Sequence, residues 1–305
     1  MASLDGTNAN DHAVLVKTNE SLVFEVLKPD GTPLTQDEFQ RQKVDQHPAD
    51  ADRERPTSPL DHRLGTTPFQ LCAEGDSWIN ILWPLSAVEG YNESFVDIIE
   101  EDSRFTVNNL GWPGDTFEDI VKAEQFKGPI QSGIYDFFIL SGGGNDFLGG
   151  GSLVNFVKNF SEVGGSATAE ECIEAAKLDA IFSDVAKGYH RVLKEVRLWS
   201  PNTHIFIHGY DHAIPRVGGK WMGTPFHELG YDLTTPLPEE IIRIVVDKFY
   251  LLLAGVAGTD KHVHLVNVRG TLQNHWHDEL HPDHEGAILV SKKFIEPMLT
   301  VKAMA

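Results

Sequence analysis

The stretch Phe69-Gln70-Leu71-Cys72-Ala73-Glu74-Gly75-Asp76-Ser77-Trp78-Ile79-Asn80 carries an apolar, β-rich run into a glycine turn. A hydroxyl follows the turn, directly before a segment that reads as the start of a helix. A serine delivered in this way sits where the exposed N–H groups of a helix terminus favour an alkoxide and a neighbouring oxyanion. Serine is also a common helix cap after a tight turn. The tripeptide therefore takes its meaning from the rest of the chain.

Outward from it, residues 104–108, 135–140, 204–208 and 263–268 are further short β-rich runs. Between them, Ile181, Val185, Tyr189, Val192, Val196 and Trp199 recur at three- and four-residue spacing, the mark of one apolar helix face. Thr168 and Glu171 precede that helix with the spacing of a capping box. A second apolar pattern, Ile241, Val245, Phe249 and Leu252, begins just after Pro238, and a last one covers residues 284–295. Strands that alternate with helices require crossovers and hence parallel pairing. The expected architecture is a three-layer α/β/α, flavodoxin-like domain on a five-stranded, mainly parallel sheet.

The 305 residues divide into an extension or linker over 1–66, a domain over 67–300 and a tail over 301–305. Within the extension, residues 13–27 show short β-like runs broken by a polar turn. Pro29-Asp30-Gly31-Thr32 reads as another turn, and 46–62 is Pro-, Asp- and Arg-rich like a linker. A formal net charge of −20, from 45 acidic and 25 basic side chains, repels nucleic acid and anionic bilayers. The two cysteines, Cys72 and Cys172, supply no disulfide framework and read as buried thiols. The start MASLDGTNANDH has no basic, apolar leader, and no uncharged run approaches the ~18 residues of a membrane span. The chain as written reads as soluble and cytoplasmic, with secretion after loss of a leader as the alternative. Oligomeric state leaves no mark on the sequence.

In parallel sheets, ligands gather outside the carboxyl ends of the strands. Every chemically notable cluster follows one of the five runs: Gly75-Asp76-Ser77, residues 111–116, 142–146, Tyr210-Asp211-His212 and 278–281. Asp278-Glu279-Leu280-His281-Pro282 sets a carboxylate three residues before an imidazole, close enough to hold one ring nitrogen. Such a pair could take a proton from Ser77 and return it to a leaving group. Asn108-Asn109-Leu110-Gly111-Trp112-Pro113-Gly114-Asp115-Thr116 exposes backbone N–H groups, and Gly144-Asn145-Asp146 places an amide after an apolar strand. Acyl transfer needs donors at a developing oxyanion, and the N–H groups of Ser77 and Gly114 with the Asn145 amide could supply them. Each cluster also has an ordinary reading, as a surface ion pair or a loop chosen for its backbone conformation.

Taken together, these blocks resemble the SGNH, or GDSL-type, hydrolases, a family of lipases, carbohydrate acetylesterases, thioesterases and lysophospholipases. The blocks are Gly75-Asp76-Ser77, Gly114 within Gly-Asp-Thr, Gly143-Gly144-Asn145-Asp146 and Asp278-Glu279-Leu280-His281-Pro282, in family order over residues 67–300. The resemblance implies Ser77 as nucleophile, Asp278 and His281 as its partners, and Gly114 and Asn145 beside Ser77 in an oxyanion hole. It implies an acyl-enzyme, with no metal and no organic cofactor. Two features depart from smaller members: the leading 66 residues, and Glu279-Leu280 where many members carry Gly-Thr.

Competing readings are weaker. His277-Asp278-x-x-His281 imitates a zinc-binding helix, but Pro282 opposes the continuous helix that two imidazoles on one face would need. No G-x-G-x-x-G frame passes through Gly142-Gly143-Gly144, and Lys220 has Ile214 where a phosphate loop needs glycine. The G-x-S-x-G elbow is absent. A non-catalytic carbohydrate- or lipid-binding module would retain a complete site without use for it. Substrate choice is expected from insertions at 147–165 and 210–236, the second forming a mobile apolar wall that includes Trp221, Met222, Pro225 and Phe226. Asp76, Tyr210, Asp211 and Trp221 are the expected substrate contacts, although Asp211 and His212 read more readily as loop-structuring residues. Lipid, short-chain and acetylated-sugar esters are the candidate substrates, with thioesters and acyl transfer as variants on the same site.

Overall fold

A computed structural model describes residues 67–81 and 93–303, together with Thr32 and the backbones of Val14–Lys17 and Phe24–Leu27. Those two backbones are strands β1 (Val14–Lys17) and β2 (Phe24–Leu27), which pair antiparallel, as the β-like runs in 13–27 suggest. The expected turn at Pro29–Gly31 and the expected linker at 46–62 lie outside the described residues.

The main sheet holds β3 (Phe69–Glu74), β4 (Phe105–Asn109), β5 (Phe137–Ser141), β6 (His204–His208) and β7 (Val263–Val266). Its order is β4-β3-β5-β6-β7, and every pairing is parallel. Helices cover both faces, so the central strands carry apolar runs in their interiors instead of alternating. Leu71, Cys72 and Ala73, Phe137 through Leu140, and Ile205 through Ile207 are all fully buried.

On one face lie α1 (Phe95–Glu101) and the last helix of the chain; on the other lie α2 (Phe117–Ala123), α3 (Lys127–Gln131) and two long helices. After β5 come the short α4 (Gly144–Phe147) and α5 (Phe160–Val163). The long α6 (Ala175–Trp199) buries Leu178, Phe182, Val185, Tyr189, Val192 and Val196 along one stripe. The Thr168 and Glu171 side chains do bond each other's backbone N–H, but they cap a separate turn. The helix starts later, at Ala175, because Ile173 first bridges to Val157.

Short α7 (Gly223–Glu228) precedes α8 (Leu237–Ala257), which opens with Pro238 at its first turn. α9 (His284–Ala303) closes the chain, stacking Phe294 on Phe95 of α1 at 4.6 Å. Residues 301–303 therefore belong to this helix, and the tail boundary expected at 300 falls inside it.

Chain order and sheet order together locate the site. From β3 the chain steps to β4 on one side, then crosses to β5 on the other, so the direction of winding reverses between β3 and β5. A crevice opens at such a reversal, outside the carboxyl ends of the two strands. Ser77 follows β3, and Asn145 follows β5.

Candidate active site

β3 ends at Glu74, and Gly75 turns the chain at φ +151°. A Cβ on Gly75 would lie 2.0 Å from the carbonyl oxygen of Ser141 at the end of β5, so no other residue fits this approach. The chain then makes one helical turn, with Asn80 N–H donating to the Asp76 carbonyl at 3.3 Å. Ser77 occupies its first position; any continuation into 82–92 lies outside the described residues. Asp76 organises this turn from within. Its Oδ1 accepts from the Trp78 N–H and the Ser141 hydroxyl, both at 3.1 Å, and its Oδ2 accepts from the Tyr210 hydroxyl at 2.5 Å. Burial raises its carboxyl above the usual value, against those donors and the nearby His281.

The loop 275–283 supplies the opposing half. Its ends are tied by a bridge between Trp276 and Pro282 and by His277 N–H donating to the His281 carbonyl at 2.9 Å. This is a closed turn, so the helix that a His277/His281 zinc pair would require does not form; among the described residues no His, Cys, Asp and Glu cluster has metal-binding geometry. Asp278 Oδ1 accepts from the N–H groups of Leu280 and His281 at 2.7 and 2.8 Å, which holds the carboxylate beneath its own loop.

The two halves meet. Ser77 Oγ lies 2.9 Å from His281 Nε2, and His281 Nδ1 lies 2.9 and 3.1 Å from the Asp278 oxygens. A carboxylate only accepts, so the ring proton sits on Nδ1 and Nε2 is left to accept from the serine hydroxyl. A second link crosses the same gap, from Trp78 Nε1 to the Leu280 carbonyl at 3.0 Å. The serine turn is thereby fastened to the histidine loop by backbone as well as by side chain. A hydroxyl–imidazole–carboxylate chain in this order can deprotonate the hydroxyl as it attacks and reprotonate a leaving group.

Beside it opens a cleft of about 300 Å³, including its mouth, lined among others by Ser77, His281, Asn145, Trp78, Leu148 and Leu280. Asn145 Nδ2 donates to the Asp115 carbonyl at 2.8 Å, joining the amide to the loop 111–116. Gly114 lies in that loop at φ +92° and is not among the residues lining the cleft. Tyr210 lines it, its hydroxyl accepting from Gly144 N–H at 2.8 Å while donating to Asp76. Asp146 accepts from the Phe117 N–H at 2.9 Å, and burial pushes its carboxyl up to about 6, with the charges of Asp76 and Asp119 adding to the rise.

Three expected substrate contacts have other work. Asp76, although it lines the cleft, has both oxygens engaged in holding the serine turn. Asp211 is buried and accepts from the N–H groups of His212, Gly270 and Leu272 at 2.5 to 2.7 Å, pinning the chain after β7. Trp221 donates its indole N–H to Asp278 Oδ2 at 2.7 Å. Of the segment 210–236, Tyr210 and Ala213 line the cleft, whereas Met222 and Phe226, expected in its apolar wall, are wholly buried in the core. Glu279 had no assigned task, yet its carboxylate is buried and carries four backbone N–H bonds. No periodicity or motif marks such a carboxylate; its departure from the family pattern was the one signal.

No family profile matches the sequence, and no curated protein matches it. Solved structures do. An extracellular lipase from Streptomyces rimosus superposes with a TM-score of 0.50 at 18% identity, over 76% of this chain and 99% of that one. A lipase from a goat rumen metagenome gives 0.49 at 15% identity, over 75% and 96%. A family two carbohydrate esterase from Clostridium thermocellum, in complex with cellohexaose, gives 0.48 at 13% identity, over 78% and 66%. Structural neighbours of this chain are SGNH/GDSL lipases and carbohydrate esterases at low sequence identity, and the five-stranded parallel sheet between helices is the fold it has in common with the Streptomyces rimosus lipase.

Proposed function

We propose that the chain is a serine-dependent carboxylic ester hydrolase, with residues 67–300 as the catalytic unit. The observation that carries this reading is the unbroken chain from Ser77 Oγ through His281 to Asp278, with 2.9 Å at each link. Ser77 attacks the ester carbonyl while His281 Nε2 takes its proton, and Asp278 holds the ring in the tautomer that makes this transfer direct. The tetrahedral oxyanion is met by the Ser77 and Gly114 N–H groups and the Asn145 amide. Asn145 lines the cleft, and its bond to the Asp115 carbonyl ties it to the loop that carries Gly114. His281 protonates the departing alcohol, and water repeats the sequence on the acyl-enzyme. These steps need no metal or organic cofactor.

The cleft favours a small acyl group. Its volume of about 300 Å³ includes open solvent at the mouth, so the enclosed space beside the serine is smaller still, and Trp78, Leu148, Ala213 and Leu280 make it apolar there. Short-chain and acetylated-sugar esters fit this description better than long lipid chains. Turnover on aryl esters of increasing chain length, beside acetylated sugars, tests the choice. Ser77→Ala is expected to lower kcat/KM on whichever ester is hydrolysed fastest by about 10⁴-fold or more. Near-normal activity in that variant would remove Ser77 from the reaction.

A further inference from the structure

Glu279 is 2% exposed. What surrounds it is backbone. Oε1 accepts from the N–H groups of Arg216 and Gly223, both at 2.8 Å, and Oε2 from those of Trp221 and Met222 at 2.8 and 3.1 Å. The Glu279 carbonyl also accepts from Ile214 N–H at 3.3 Å. The segment 214–223 is therefore wound around one side chain of the histidine loop. Gly219 permits the closeness, since a Cβ there would lie 2.1 Å from the Glu279 carboxyl carbon. Four donors meet the buried charge in place of water, which is the condition under which a buried carboxylate is tolerated.

The winding fixes where one side chain lands. Trp221, whose N–H is held by Glu279, sends its indole N–H to Asp278 Oδ2 at 2.7 Å and sets its ring edge-on to His281, centroids 5.6 Å apart. Asp278 Oδ1 is already bonded to Leu280 and His281 N–H, so the indole bears on the oxygen that makes the 2.9 Å contact with His281 Nδ1.

We infer that Trp221 is a positioning residue for the Asp278–His281 pair, and that Glu279 holds it there by gathering the backbone of 214–223 around its carboxylate. The inference rests on the esterase reading for its kinetic consequence only. The indole donor fixes the carboxylate's orientation and draws charge from the oxygen facing His281. Turnover, more than substrate binding, depends on it, because Trp221 is not among the residues lining the cleft.

The test compares the full chain with its Trp221→Phe and Glu279→Gln variants. Trp221→Phe is expected to lower kcat on an aryl acetate about tenfold, equivalent to about 1.4 kcal/mol of barrier, with KM changed by less than about twofold. The low-field proton resonance of His281 Nδ1 is expected to move further downfield, because a carboxylate relieved of one donor accepts the ring proton more strongly. Glu279→Gln presents an amide NH₂ to amides that need an acceptor, and it should move the same resonance in the same direction. If that variant does not fold, Trp221→Phe alone decides.

A raised KM at unchanged kcat would make Trp221 part of the substrate wall and overturn the inference. An unmoved resonance with unchanged kinetics would reduce Trp221 to packing and overturn it as well. Should the wild-type chain hydrolyse no ester, the esterase reading falls separately, and the resonance still decides: displaced upholds the Trp221 contact, unmoved refutes it.

Discussion

The two halves of the site are held by different means. Ser77 follows a strand paired on both sides, and its turn is fixed by a glycine pressed against the neighbouring strand. His281 lies well beyond the end of β7, in a loop with no helix or strand of its own apart from one isolated bridge. Carboxylates do there what a ladder does elsewhere: Asp211 takes the N–H groups of Gly270 and Leu272, Asp278 those of Leu280 and His281, and Glu279 those of the covering segment. Buried backbone donors require partners, and a charged acceptor bonds them more strongly than a neutral one. Regular secondary structure is therefore not needed to hold an imidazole within bonding distance of a serine hydroxyl.

Substitutions on each half sharpen this contrast. The largest effect is expected on the strand-held side. Gly75→Ala forces a Cβ into the Ser141 carbonyl at a backbone angle unfavourable to L-residues, so β3 and β5 must part. A loss of ~4 kcal/mol in urea unfolding is expected, near the upper end for one substitution. A loss below ~1 kcal/mol would mean that the turn is not fixed in this way.

On the carboxylate-held side, Asp211→Ala leaves the His212, Gly270 and Leu272 N–H groups without their acceptor. An unfolding cost of ~3 kcal/mol is expected, together with a fall in kcat, because the chain leading to His281 loses its anchor. Unchanged turnover would break the comparison. It would show that the loop stands without its carboxylates.

The smallest effect concerns pH. Asp146 has its carboxyl pushed up to about 6 in the fold, chiefly by burial, against about 3.9 in an unfolded chain. The native state therefore holds the extra proton between those values, and the contribution of this group to stability falls as pH rises through that window. Above it, the charged form costs up to ~3 kcal/mol. Asp146→Asn removes the titration and should flatten the dependence of the urea midpoint between about pH 4 and pH 6. An unaltered slope would assign that dependence to other groups.

The contrast also explains what could be read from the sequence. The five strands were legible because each is a short β-rich run bounded by turn residues, and in the inner strands burial on both faces keeps the apolar run intact. The expectation that Ser77 and His281 share one rim followed from the parallel sheet, and the two side chains do meet there. Where propensity competed with a tertiary contact, the reading slipped: the Thr168/Glu171 pair has the capping spacing, but the bridge at Ile173 uses the chain before a helix can start. Asp76, Trp221 and Glu279 escaped for a common reason. A carboxylate or indole bonding residues distant in the chain leaves no local pattern, and polar residues beside a site look like substrate contacts until their partners are seen.

The proposed chemistry requires Ser77 to be a nucleophile activated by His281. The most direct measurement is mass spectrometry of the full chain after exposure to a fluorophosphonate, with the adduct mapped by peptide. One adduct is predicted, on Ser77, formed by the wild-type chain and lost in His281→Ala. An unmodified Ser77, or an adduct that forms equally well without the imidazole, would contradict it.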